Sequence, residues 1–177
     1  GHHLPTASGL LLIAAVIAVE ALRTQVDLVG VEDPFTAPAA YVLVAVVAFG
    51  FLGLVDDLLG DAHDRGLKGH VGAALRGRVT TGFLKLAGGA AVALWVAGAE
   101  NGDRLGWTIV DAAVIALAAN MGNLFDRAPG RTLKVGLVAA VPLLVVAGTA
   151  PLGVALGVVV GSALALLPAD LGERSML

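Results

Sequence analysis

The 177-residue chain contains no cysteine. That excludes a disulfide framework, a thiolate zinc site and a cysteine nucleophile. Charge is scarce too: Asp, Glu, Lys and Arg make up 14% of the residues, against about 25% in an ordinary soluble domain. A net charge of −3 offers no basic footprint for a nucleic acid, so none is expected as a partner. Aromatic residues supply only 5% of the chain. No P-loop, G-x-S-x-G or H-E-x-x-H pattern occurs. The N-terminus lacks a basic n-region and an A-x-A site, so no cleavable signal peptide is expected. No fixed-period repeat and no low-complexity linker divides the sequence.

What fills the chain instead is apolar. Hydrophobic residues make up 58%, joined by 24 glycines, and the mean hydropathy is +0.90. A globule of this size cannot hide that much apolar surface from water, and a disordered chain would be polar. The solvent these figures call for is a bilayer. Abundant glycine also suits transmembrane helices that approach closely.

Apolar runs alternate with short polar breaks: Ala7–Leu22, Ala37–Val55, Thr80–Ala99, Trp107–Phe125, Val135–Ala150 and Leu152–Pro168. Each is about 16–20 residues long, near the roughly 20 that carry a helix across a 30 Å hydrocarbon core. They are continuously apolar rather than alternating, which argues against barrel strands. The expected fold is all-α: a polytopic transmembrane bundle of about six spans forming one domain over residues 1–177.

Basic residues orient it. Arg65, Lys68, Arg76, Arg78, Lys85, Arg127, Arg131, Lys134 and Arg174 fall in or beside the even-numbered breaks or after the last run, and only Arg23 and Arg104 fall on the other side. The positive-inside rule then makes the first face cytoplasmic, with a multi-pass protein in the inner (plasma) membrane. The bases around Arg131 and Lys134 serve either anionic lipid or topology.

Polar chemistry gathers on that face. Asp56-Asp57 follows directly on the apolar Phe49–Val55 stretch. Adjacent carboxylates at a membrane helix end repel each other and call for a cation, a proton or a basic partner; a divalent metal carrying a phosphate would meet that need. Asn120 and Asn123 are spaced i, i+3, and Asp126 extends the same stripe. Such amides serve either a nucleotide, sugar or phosphate, or a neighbouring helix. Lys85, four residues after Thr81, can reach the interface or pair with a phosphate beside the carboxylates. Asp111, near the outer end of the fourth run, is assigned no role.

Three segments carry a resemblance. Leu54-Val55-Asp56-Asp57-Leu58-Leu59-Gly60, with the basic loop after it and Gly82-Phe83-Leu84-Lys85, resembles the polyprenyl-phosphate N-acetylhexosamine-1-phosphate transferases (glycosyltransferase family 4), which include the phospho-N-acetylmuramoyl-pentapeptide transferase of peptidoglycan synthesis. Asn120-Met121-Gly122-Asn123-Leu124-Phe125-Asp126 is similar to that family's N-x-x-N-L-x-D element, and Leu4-Pro5-Thr6-Ala7-Ser8-Gly9 looks like its P-T-x-G-G segment. The resemblance implies transfer of an N-acetylamino-sugar 1-phosphate from a UDP-amino sugar to polyprenyl phosphate, with Mg²⁺ and release of UMP, for cell-envelope polymer synthesis. It implies that Asp56 or Asp57 deprotonates or orients the lipid phosphate and that Lys85, Asn120 and Asn123 bind substrate. It further implies a catalytic Asp126, metal ligation by Asp57 and Asp126, and a homodimer.

The sequence also departs from the family. Asp126 is followed by Arg127-Ala128-Pro129-Gly130-Arg131, where members continue D-G-x-D-G-L. The family's later G-D-x-G element is not in the sequence, and the resemblance therefore implies the central part of a longer transferase. The other expectation is a non-catalytic relative that binds or scaffolds a polyprenyl-phosphate carrier. A transporter fits less well, because the polar groups sit at one interface rather than at mid-membrane.

Overall fold

A computed structural model describes residues 8–27, 37–59, 66–77, 79–126 and 128–172, and among these it is all-helical. Seven helices follow in order: α1 (Ser8–Asp27), α2 (Ala37–Leu59), α3 (Gly66–Leu75), α4 (Thr81–Asn101), α5 (Leu105–Phe125), α6 (Arg131–Ala147) and α7 (Pro151–Leu171). The expected all-α class is what the chain adopts.

Among the described residues, four helices are long and apolar enough to cross a membrane: Ala39–Leu59 of α2, and α4, α5 and α7 throughout. The expected number of about six spans is not confirmed. Among the described residues, the apolar stretch of α1 is Leu10–Val19. α6 has 17 residues, about 26 Å of helix, and its first turns carry Arg131 and Lys134.

A second difference concerns the basic break after α2, which contains helix α3. Leu67, Val71, Ala74 and Leu75 recur at i, i+4, i+7 and i+8, a helical spacing hidden by four neighbouring glycines and bases. α3 ends where Gly77 turns at φ 75°, its N–H donating to the Ala74 carbonyl at 2.9 Å.

The chain divides into two compact units. The first comprises Gly1–Val46 and Asn120–Leu177, the second Val47–Ala119. In the first, α7 packs against both α1 and α6. The α6–α7 hairpin turns at Gly148, φ 55°, whose N–H donates to the Leu144 carbonyl at 2.8 Å. Pro151 opens α7, where a missing N–H costs nothing.

In the second unit α3 packs against α4, while Ala93 and Ala97 of α4 meet Ala112 of α5, flanked by Ile115 and Ala116. Alanine at i, i+4 on facing helices lets two backbones approach. The outer end of this pair is tied by Asn101, whose Nδ2 donates to Asp111 Oδ2 at 2.7 Å and to the Ala97 carbonyl at 3.1 Å.

Among the described residues the buried positions are mostly alanine, with Val16 and Leu133, while most large apolar side chains are outside. Ala93 is fully buried, whereas Leu58 is 70% exposed and Val146 88% exposed. Water would penalise that arrangement at roughly 25 cal/mol for each Å² of apolar surface left out; hydrocarbon does not. The distribution agrees with a chain built for a bilayer.

The hairpin yields a test. A methyl group on Gly153 would run into the carbonyl oxygen of Gly148, a backbone atom that cannot step aside, whereas one on Gly157 meets nothing within 4 Å. Gly153→Ala is expected to destabilise the protein by about 1–3 kcal/mol. Gly157→Ala is expected to be neutral or stabilising by up to about 1 kcal/mol. Apparent melting temperatures in detergent compare the two.

Candidate functional site

Asp56 and Asp57 sit in the last turns of α2. A helix C-terminus already carries the negative end of the backbone dipole, so two carboxylates there add like charge to like. α4 supplies the compensation. Its start is fixed by Thr80, in extended conformation (φ −97°, ψ 157°), whose hydroxyl oxygen accepts from the Phe83 N–H at 3.1 Å. With α4 beginning at Thr81, Lys85 stands just over one turn in, near the positive end of that helix.

The two helices then meet closely. A methyl group on Gly88 would lie 2.8 Å from Leu52 Cδ2, and one on Gly89 would lie 3.4 Å from Phe49 Cε1. Going one way along α4 and the other along α2, the same antiparallel register brings Lys85 to Asp56. Lys85 Nζ donates to Asp56 Oδ2 at 3.0 Å, with both side chains about 30% exposed (29% and 30%). Asp57, the next residue and about 100° further round the helix, is exposed.

The structure therefore divides the roles of the two carboxylates. Lys85 bonds Asp56, and Asp57 lies beside that pair on the exposed side of the helix. A phosphate reaching the Lys85 ammonium would join its pair with Asp56.

Asn120 and Asn123 lie on α5 as expected, both exposed. Asp126 does not continue the helix. It lies in the turn just beyond Phe125, exposed, with its N–H still donating to the Gly122 carbonyl at 3.2 Å. The helix stops there because Pro129 and Gly130 follow, Gly130 with φ 67°. These three residues belong to the first unit; Asp56, Asp57 and Lys85 belong to the second.

Among the described residues no three His, Asp or Glu side chains gather as a metal cluster. The donor chemistry at the end of α2 nonetheless fits Mg²⁺, a hard cation that takes one or two carboxylates and completes its shell with phosphate oxygens and water. Asp57 is the carboxylate placed to act in that way.

Sequence reasoning missed one buried carboxylate. Asp170, in the last turn of α7, is 7% exposed and accepts from the Gly130 N–H at 2.7 Å. The signal was present: an ionisable residue in the run Leu166-Leu167-Pro168-Ala169-Asp170-Leu171 has to find a partner inside the protein.

The Asp56–Lys85 pair is testable as a double-mutant cycle. Asp56→Asn, Lys85→Met and their combination, followed by thermal denaturation in detergent, are expected to give a coupling of about 1 kcal/mol, since water still screens both groups. Compared with known protein families, curated proteins and solved structures, the chain matches none, and the arrangement of Asp56, Asp57 and Lys85 stands on its own chemistry.

Proposed function

We propose that the chain is a membrane transferase that moves an N-acetylamino-sugar 1-phosphate from a UDP-sugar to polyprenyl phosphate and releases UMP. The observation that carries the reading is the end of α2: an aspartate neutralised by a lysine at 3.0 Å, beside an exposed aspartate, on an apolar helix long enough to cross a membrane. A lipid phosphate arrives from the bilayer and a nucleotide sugar from water. A site at the membrane surface is where the two can meet.

In this reading an oxygen of the lipid phosphate attacks the phosphorus that bears the sugar. The new P–O bond forms as the bond to the uridylate oxygen breaks, and UMP leaves. Asp57 orients the lipid phosphate or takes its proton. Lys85, held in place by Asp56, stabilises charge on the diphosphate. Asn120, Asn123 and Asp126 hold the nucleotide or sugar. Asp57 would hold Mg²⁺, which would supply further neutralisation of phosphate charge. The basic residues near the ends of α3, α4 and α6 support a reading in which this chemistry faces the cytoplasm, by the positive-inside rule.

The test uses the full chain of the native gene in detergent or vesicles, with a UDP-N-acetylamino sugar, polyprenyl phosphate and Mg²⁺. UMP release is expected, and Asp57→Asn is expected to lower kcat about 100-fold or more. Wild-type turnover in Asp57→Asn would remove that residue from the mechanism. Saturable binding of polyprenyl phosphate with no UMP release would favour a non-catalytic carrier-binding protein.

A further inference from the structure

The turn that carries Asp126 is tied down from three directions. On the α5 side, the Asp126 N–H donates to the Gly122 carbonyl. From α6, the Thr132 hydroxyl donates to the same carbonyl at 3.4 Å. From α7, the Asp170 carboxylate accepts from the Gly130 N–H at 2.7 Å. This last contact is the buried one, and it is a charged acceptor on the first free amide of a helix, among the stronger uses of a carboxylate.

Gly130 is shaped for this contact. Its φ of 67° is left-handed, and a methyl group there would meet the Leu171 side chain at 2.5 Å. A residue with a Cβ at that position would be strained by its left-handed φ and would have to displace the end of Leu171. No side chain of Gly130 itself caps α6; Asp170, forty residues later, acts as the cap. Gly130 follows Asp126 by four residues, and the Thr132–Gly122 bond ties the start of α6 to the end of α5.

We propose that Asp170 is a positioning residue: through the Gly130 amide it fixes the turn that sets Asp126 and the end of the Asn120–Asn123 stripe, without itself touching substrate. The inference rests on the transferase reading above. It predicts that the hydrogen-bond acceptor at position 170 matters more than its charge.

The experiment is steady-state UMP release by the full native chain, normalised to folded protein, for wild type, Asp170→Asn and Asp170→Leu, with hydrogen exchange at the Gly130 amide. Asn keeps an acceptor oxygen; Leu fills the space without one. Asp170→Leu is expected to lower kcat/KM for the UDP-sugar at least tenfold, as small displacements of positioning groups do, and to speed Gly130 exchange. Asp170→Asn is expected to stay within about threefold of wild type. If Asp170→Leu does not fold, Asp170→Glu replaces it, its acceptor displaced by one methylene, and the same tenfold loss is expected. Wild-type kinetics in folded Asp170→Leu or Asp170→Glu would overturn the proposal and leave the transferase reading standing. Absence of UMP release from the wild-type chain would overturn the transferase reading, and this proposal with it.

Discussion

The Lys85–Asp56 pair forms where α2 side chains lie directly on the α4 backbone, and in this chain that contact depends on glycine. Gly88 and Gly89 leave room for Leu52 and Phe49 against the α4 backbone. The register set by those contacts carries Lys85 to Asp56. Association in a bilayer has no hydrophobic driving force between helices, because lipid tails are as apolar as leucine. Close van der Waals contact and a few polar bonds must do the holding, so the small residues come first and the ion pair follows from them.

That pair also organises the charge at the end of α2. Lys85 sets its positive charge on Asp56 and beside Asp57, two adjacent carboxylates that would otherwise repel each other without compensation. Lysine is suited to the role because its ammonium is a compact charge on a flexible stem, able to serve a carboxylate and a phosphate from one position.

Much of the fold was legible in the sequence because hydropathy reports directly on a membrane environment. The long runs of α2, α4, α5 and α7 stood out by length alone. The first run is marginal in length, and α6 has only 17 residues. α3 was overlooked because glycine and basic residues hide an i, i+4 pattern of only ten residues. At the site, Asp56, Asp57 and Lys85 were each identifiable, but which carboxylate takes the lysine depends on helix register, and no local pattern encodes that. Asp126 fell outside the helix because Pro129 and Gly130 govern the backbone beyond it. Asp170 finds its partner forty residues away across a helix interface, and spacing within one segment cannot reveal such a contact.

The inverted size distribution, with alanine and glycine inside and leucine and valine outside, has a consequence for how the sequence can drift over evolution. In a water-soluble globule, interior positions resist loss of volume and the surface accepts almost any polar residue. Here the interior positions Ala93, Ala97, Ala112 and Ala155 resist gain of volume, because each added methyl group pushes two backbones apart. The outward positions Val138, Val145 and Val146 can exchange among apolar residues of any size but not with polar ones. Substitution patterns among descendants of this chain should therefore be read by size at the interior positions and by polarity at the outward ones, the reverse of the pattern in a soluble fold.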